Sequence, residues 1–216
     1  MLTDMNKYKC RSTCKISQAQ GEAMKVTRAQ AEANRERIVD VAGELFREKG
    51  FDGIGLNELM QAAGLTRGGF YGHFESKDEL AGLACERALM ANQHYWEELS
   101  AKPPAEALQS LVGFYLSDLH CQHTAKGCAM AALAGDVVRA GPALKGTFET
   151  GIDNFLRMLE PLMQSDEPAE RREKALAALS QLVGALVLSR AVRSPELSGE
   201  LRAAAAASVL RGAAAG

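Results

Sequence analysis

Residues 50–80 read GFDGIGLNELMQAAGLTRGGFYGHFESKDEL, and the local chemistry of this stretch decides the expected fold. Residues 57–63 are good helix formers, and Leu56, Leu59, Met60 and Ala63 fall at helical spacing. Gly64 ends the run, because a chain leaving a helix can turn through positive φ there without steric cost. Leu65 points back toward a small core, and the spacing places the Thr66 hydroxyl to cap a second, brief helix. That helix, residues 67–73, contains Gly68, Gly69 and Gly72, which helix propensity disfavours. A different demand is expected to explain them. Glycines bare a face for close approach to another surface, and Thr66, Arg67, Tyr71 and His73 surround it with hydrogen-bond donors. Phe70 and Phe74 are expected to anchor it from behind. Ser76-Lys77-Asp78-Glu79 then reads as a capping box that opens a third helix.

A short helix with a bare face and a donor rim suits the major groove of DNA. There, phosphate contacts set the register and a few side chains touch base edges. The expected phosphate contacts are Thr66, Tyr71, His73 and Lys77, the last beside unpaired amides at a helix start. Asn57, Arg67 and Gly69 are the expected base contacts, since arginine pairs bidentately with guanine and asparagine with adenine.

Thr66-x-Gly68-x-x-Tyr71-x-His73-Phe74-x-x-Lys77-x-x-Leu80 follows Ala63-Gly64-Leu65, with Leu45-Phe46 and Gly50-Phe51 before it. This pattern resembles the TetR/AcrR family of transcriptional regulators over residues 35–80. The resemblance implies an all-α chain: an N-terminal three-helix helix-turn-helix DNA-binding domain, then a C-terminal helical ligand-binding and dimerisation domain. The expected boundaries are a flexible tail over residues 1–24, the DNA-binding domain over 25–75 and the regulatory domain over 76–216. One position departs from the pattern. Gly55, after Ile54, stands where the family usually carries a capping Ser or Thr, so one side-chain phosphate contact is missing. The alternative reading of the stretch is an ordinary helical hairpin with a glycine-rich turn.

The 216 residues suffice for a small reading domain and one larger domain, and 47% hydrophobic content supports a core. No run of roughly eighteen apolar residues is present, which argues against a membrane span. Residues 1–23 lack a hydrophobic signal core, so the cytoplasm is the expected compartment. The net charge of -2 does not itself point to nucleic acid. Over residues 24–80, Lys25, Arg28, Arg35, Arg37, Arg47, Lys49, Arg67 and Lys77 face a slightly larger set of acids. Any non-specific, salt-dependent DNA affinity is therefore expected to be modest. Cys10, Cys14, Cys85, Cys121 and Cys128 make five, an odd number without an export signal, so a disulfide framework is not expected.

Residues 1–23 carry Lys7, Lys9, Arg11 and Lys15 and read as a flexible tail, as a basic DNA-binding arm, or as the consequence of a true start at Met24. Ile38, Val41, Ala42, Leu45 and Phe46 form an apolar stripe that predicts a first helix, ended by Gly50. Arg28 and Arg35 near its start suit either phosphate or a solvated face. Residues 76–99 are expected to form one long helix, and Pro103-Pro104 to start the next. Beyond it the pattern is helical throughout, with Leu108, Leu111, Val112, Tyr115, Leu116 and Leu119 in one stripe. Residues 176–192, LAALSQLVGALVLSRAV, are apolar on more than one side, and Ser194-Pro195-Glu196 opens a last helix. A helix apolar all round must be buried all round, which favours a homodimer whose two reading heads match a palindromic operator.

The resemblance further implies a small-molecule inducer, of unknown identity, bound among the helices of the larger domain. Phe114, Tyr115, Met130, Phe148, Phe155 and Met158 are candidates for its pocket or for plain core. In residues 120–128, HCQHTAKGC, Cys128 stands at the start of a predicted helix with Lys126 nearby, a setting that favours thiolate. Members of a subgroup with a similar Gly-Cys sense reactive electrophiles or oxidants, so the resemblance makes Cys128 a candidate thiol sensor. A small buried residue is the alternative. His120, Cys121, His123 and Cys128 do not match a compact zinc spacing, so neither metal nor cofactor is expected. The expected function is a ligand- or redox-responsive dimeric repressor. A helical small-molecule-binding protein or enzyme without DNA reading is the alternative, although no nucleophile elbow, phosphate loop or paired acids support catalysis.

Overall fold

The structure is a computed structural model and describes residues 27–91 and 93–214. The expected tail, with Cys10, Cys14 and the second start at Met24, lies outside the described residues. Among those described, the chain is all-α, with no strand.

Helix α1 spans Arg28–Lys49, and its first turn is capped by Thr27, whose Oγ1 accepts from the Gln30 amide at 3.2 Å. It ends at Gly50, where φ is 76°. Ile38, Ala42 and Phe46 turn inward from α1 to meet Leu59 and Met60 of α2 (Leu56–Ala62), and all five are fully buried. Gly64, with φ at 73°, turns the chain out of α2 as its sequence position predicts.

The next segment departs from expectation. Arg67–Gly72 is a 3₁₀ helix, and the Thr66 hydroxyl makes no capping bond. Three glycines in six residues give little support to an α-helix. The tighter turn is instead held by Phe70, which is fully buried and whose carbonyl accepts from the amides of His73 and Phe74 at 2.9 and 3.0 Å. Helix α3, Lys77–Met90, opens as a capping box: Ser76 Oγ accepts from the Glu79 amide at 3.0 Å. The return bond reaches one residue further back than the standard box, from the Glu75 amide to Glu79 Oε2 at 2.7 Å.

The long helix expected over residues 76–99 is two helices, α3 and α4 (Gln93–Ser100). Each serves a different neighbour. Helix α3 packs on α1 and on α8 (Pro142–Leu159), whereas α4 packs on α5 (Pro104–Tyr115). Trp96 of α4 meets Phe155 of α8 edge-on at 4.9 Å. Pro104 starts α5 as expected, but the stripe that was to run on to Leu119 stops with the helix. Ser117 caps a new helix, α6 (Asp118–Gln122), and leaves Leu119 62% exposed. A short 3₁₀ turn, Thr124–Lys126, leads into α7 (Ala129–Val137).

The body closes with α9 (Pro168–Ala191) and α10 (Pro195–Ala214), joined by paired bonds between Ser189 and Ser198 at 3.0 and 3.1 Å. By length and composition alone α9 reaches the range of a membrane span, with a mean hydropathy of 1.2 in its richest window. Its Ala178, Leu182, Ala185, Leu186 and Ser189 nevertheless pack into the body. Leu176, Val187 and Leu188 of α9 and Leu197 of α10 remain exposed.

Because Phe70 carries the 3₁₀ helix alone among its six residues, Phe70→Ala is expected to cost about 3–5 kcal/mol. Chemical denaturation checks this value.

Candidate functional site

The expected DNA-contacting residues largely share one surface. Thr66, Arg67, Gly69 and Tyr71 are exposed on or beside the 3₁₀ helix, with Asn57 exposed on the adjoining α2. Tyr71 is 70% exposed and braced at its base, edge-on against the Phe70 ring at 5.3 Å. His73 is half-buried beside Phe74. Arg35 lies 4.9 Å over the Phe74 ring and 3.6 Å from Glu79, so its charge already has local partners.

Lys77 stands apart. Its ammonium turns inward and donates to the carbonyls of Phe51 and of Ile54, the latter at 2.8 Å. Two of its three protons thus fasten the turn between α1 and α2, and this arrangement differs from the expected outward phosphate contact. The sequence placed Lys77 correctly at a helix start, but not the two carbonyls more than twenty residues earlier that draw it in.

A second constellation lies where the end of α5, α6 and the start of α7 meet. His120 is buried, with Nδ1 2.6 Å from the Tyr115 carbonyl oxygen and Nε2 2.9 Å from the Cys128 amide. Both contacts are satisfied by a neutral ring that donates from Nδ1 and accepts at Nε2. Burial holds the His120 pKa below its usual value, and the Arg190 charge adds to this against the upward pull of the Tyr115 carbonyl. The ring stacks on Phe114 at 5.8 Å. Arg190, from α9, donates to the carbonyls of Cys121 and His120 at 3.0 and 2.8 Å, closing the end of α6. A Cβ at Gly127 would come within 2.6 Å of Arg190 Nη2, so this close approach explains the glycine before the cysteine.

Cys128 is half-buried and is the residue immediately before α7. It lines a cavity of about 60 Å³ with Tyr115, His120, Trp96 and Phe155, while Lys126 is exposed at its edge. Of the expected pocket residues, Phe114, Tyr115, Met130 and Phe155 line this cavity. Phe148 and Met158 do not. Cys85, by contrast, is buried and its thiol is pushed up to about 11 by that burial, which makes it a poor nucleophile. No group of three His, Cys, Asp or Glu residues suited to a metal ion occurs among the described residues.

The two constellations are joined by contacts that the sequence did not reveal. Arg47 of α1 donates from Nε to the Ala125 carbonyl at 2.5 Å, three residues before the thiol. Eight residues after the thiol, Asp136 of α7 accepts from the Phe51 amide at 3.1 Å. A Cβ on Gly50 would meet that carboxylate at 2.6 Å. The segment bearing Cys128 is therefore pinned at one end to the last turn of α1 and at the other to the turn that follows it, beside a cleft of about 540 Å³ between head and body.

Residues 38–83 match the family described as bacterial regulatory proteins, tetR family. Over 88 residues the chain is 34% identical to YerO, an uncharacterized HTH-type transcriptional regulator of Bacillus subtilis, covering 39% of this chain and 30% of YerO. It is 25% identical over 134 residues to the HTH-type transcriptional repressor NemR of Escherichia coli, covering 61% of this chain and 67% of NemR. The chain thus spans under a third of YerO and about two thirds of NemR in these matches. Among solved structures, a TetR-family regulator from Cytophaga hutchinsonii aligns with a TM-score of 0.72 at 19% identity, covering 85% of this chain and 96% of that one. The reduced form of E. coli NemR aligns with a TM-score of 0.67 at 22% identity, covering 82% and 95%. At these identities the structural likenesses establish the fold.

Because His120 is held neutral when folded, the unfolded chain takes up its proton first as pH falls. Stability from this group is complete above the unfolded value of about 6.5 and declines as pH drops below it. His120→Gln, which keeps one donor and one acceptor, is expected to flatten the fall in Tm between about pH 7 and 5.5. Thermal melts across that range check it.

Proposed function

From the match of residues 38–83 to the tetR family of bacterial regulatory proteins we propose that the chain is a dimeric transcriptional repressor of that family. In this reading it binds a palindromic operator in the cytoplasm and is released by a small-molecule inducer or by modification of Cys128. The observation that carries the proposal is the double attachment of the Cys128 segment to the end of α1, at Arg47 and at Phe51. A change at the thiol then has a short, packed route to the reading head.

Double-stranded DNA is read by exposed Thr66 and Tyr71 and half-buried His73 to phosphate, with Asn57, Arg67 and the Gly69 backbone to base edges. Lys77 supports this surface by holding the α1–α2 turn, and only its third proton is left for phosphate. The exposed Leu176, Val187, Leu188 and Leu197 supply an apolar face on α9 and α10 against which a second copy packs. Arg190 lies on the same α9, so dimer packing and the thiol cluster share one helix. A ligand lowers operator affinity only as far as it prefers the released conformation, and couplings of this kind span roughly 5–150-fold.

Tyr71→Ala is expected to abolish operator binding in a mobility-shift titration while leaving the dimer intact by light scattering; undiminished binding would place the DNA-contacting surface elsewhere. Asp136→Ala is expected to leave Cys128 open to alkylation while the alkylation-induced loss of operator affinity shrinks from at least roughly 5-fold to under about 2-fold. Titrations of alkylated and untreated protein, each with and without the substitution, measure that difference.

A further inference from the structure

The cations of the head sort by partner. Arg35 pairs with Glu79 at 3.6 Å, Lys49 with Glu58, and Arg87 with Glu36 and Asp40 at 2.5 and 2.9 Å. Arg47 and Lys77 turn inward onto backbone carbonyls. Arg28, Arg37 and Arg67 are exposed, and no carboxylate among the described residues pairs with them. The expectation of a phosphate contact on α1 fell on Arg28 and Arg35, but Arg35 is already neutralised.

Arg37 differs from the other two free cations in being held. Asn34, three residues earlier on α1, is a polar side chain only 8% exposed. Its Oδ1 accepts from Arg37 Nη2 at 3.0 Å and from Gln30 Nε2 at 3.1 Å. Both donors lie on the same helix, so these bonds join nothing across the fold, and an apolar side chain at this position would avoid burying an amide. What the amide does is fix the direction of a long, exposed guanidinium. Arg37 Nη1 lies by the turn after α2, where a Cβ on Gly64 would stand 3.8 Å from it. That turn leads directly to Thr66 and Arg67, where the exposed rim begins.

We propose that Arg37 is a DNA-backbone contact, its guanidinium aimed by Asn34 at a phosphate beside the groove that the rim enters. This rests on the DNA-binding reading above and adds to it a residue that answers to phosphate charge, not to base identity. A guanidinium presents five donors in a planar fork that matches two phosphate oxygens, and Asn34 occupies one of the five. Aiming the fork before DNA arrives removes part of the ordering cost of binding.

The probe is a short duplex recovered by the wild-type full-length chain from a random-sequence pool, titrated by fluorescence anisotropy at about 50 to 200 mM salt. Each phosphate contact contributes about 0.9 to the slope of log affinity against log salt, and a dimer carries Arg37 twice. Arg37→Gln is therefore expected to flatten the slope by about 1.8, so that the wild-type chain loses about twelvefold more affinity than the variant across that range. The selected duplex and a shuffled one are expected to weaken by the same factor. Arg37→Lys, which keeps the charge, is expected to keep the wild-type slope. Asn34→Asp sets a carboxylate of the same shape against the guanidinium and is expected to flatten the slope about as much as Arg37→Gln, with the fold intact by circular dichroism. Lys145→Gln removes an exposed cation of α8 and is expected to leave the slope as it was.

An unchanged slope in Arg37→Gln, equal flattening in Lys145→Gln, or a loss confined to the selected duplex would overturn the proposal. In each of those cases the wild-type chain still binds DNA, so the repressor reading stands. An unchanged slope in folded Asn34→Asp would overturn the positioning role of Asn34. A wild-type chain that recovers no duplex from the pool would overturn the repressor reading and this contact together.

Discussion

The hydrogen bond from the Phe51 amide to Asp136, paired with that from Arg47 to the Ala125 carbonyl, is the constraint on which this arrangement turns. Alone, the helix-turn-helix is a small unit whose 3₁₀ helix depends on one buried aromatic ring. The two bonds fix that unit to the body at the exit of α1, where Gly50 leaves room for the carboxylate. Lys77 ties the same turn from the α3 side. The turn between α1 and α2 is therefore held from three directions, and its orientation sets where the 3₁₀ helix and its exposed rim point.

The same segment brings the fixed turn and the thiol within a few residues of each other. Cys128 stands between the two pinned positions, and its own amide is bound by His120. His120 in turn spans to Tyr115, and Arg190 reaches in from α9 to close the end of α6. A group added to the sulfur must fit among these bonds or displace them. Because the neighbouring core is close-packed, displacement is passed on as a shift of whole elements. That is the physical sense in which, under the proposed function, a small adduct is felt at the proposed DNA-contacting surface.

Much of the fold was legible because it is encoded locally. The bounds of α1, the left-handed exit at Gly64, the Ser76 cap and the start of α5 at Pro104 each follow from a few adjacent residues. The departures have equally definite causes. The Thr66 hydroxyl makes no cap because glycines turn the following segment into a 3₁₀ helix. The helix expected over residues 76–99 divides because its halves answer to different packing partners, a matter settled far away in sequence. Leu119 fits the apolar spacing of α5, but Ser117 starts a new helix and turns it outward. The candidate site was legible as residue types in a pattern: exposed Thr66, Arg67 and Tyr71 on or beside the 3₁₀ helix, and a cysteine at a helix start. Its connections were not, since Phe51 and Asp136 are 85 residues apart and Arg47 and Ala125 are 78.

The central claim, that the thiol and the reading head are coupled through the pinned segment, is tested most directly by hydrogen exchange at the Phe51 amide before and after alkylation of Cys128. Exchange at this amide is expected to accelerate on alkylation of the wild-type chain and to remain unchanged when Cys128→Ser protein receives the same reagent. Loss of operator binding on alkylation with the Phe51 amide as protected as before would contradict the account, because the signal would then reach the DNA-contacting surface by another route.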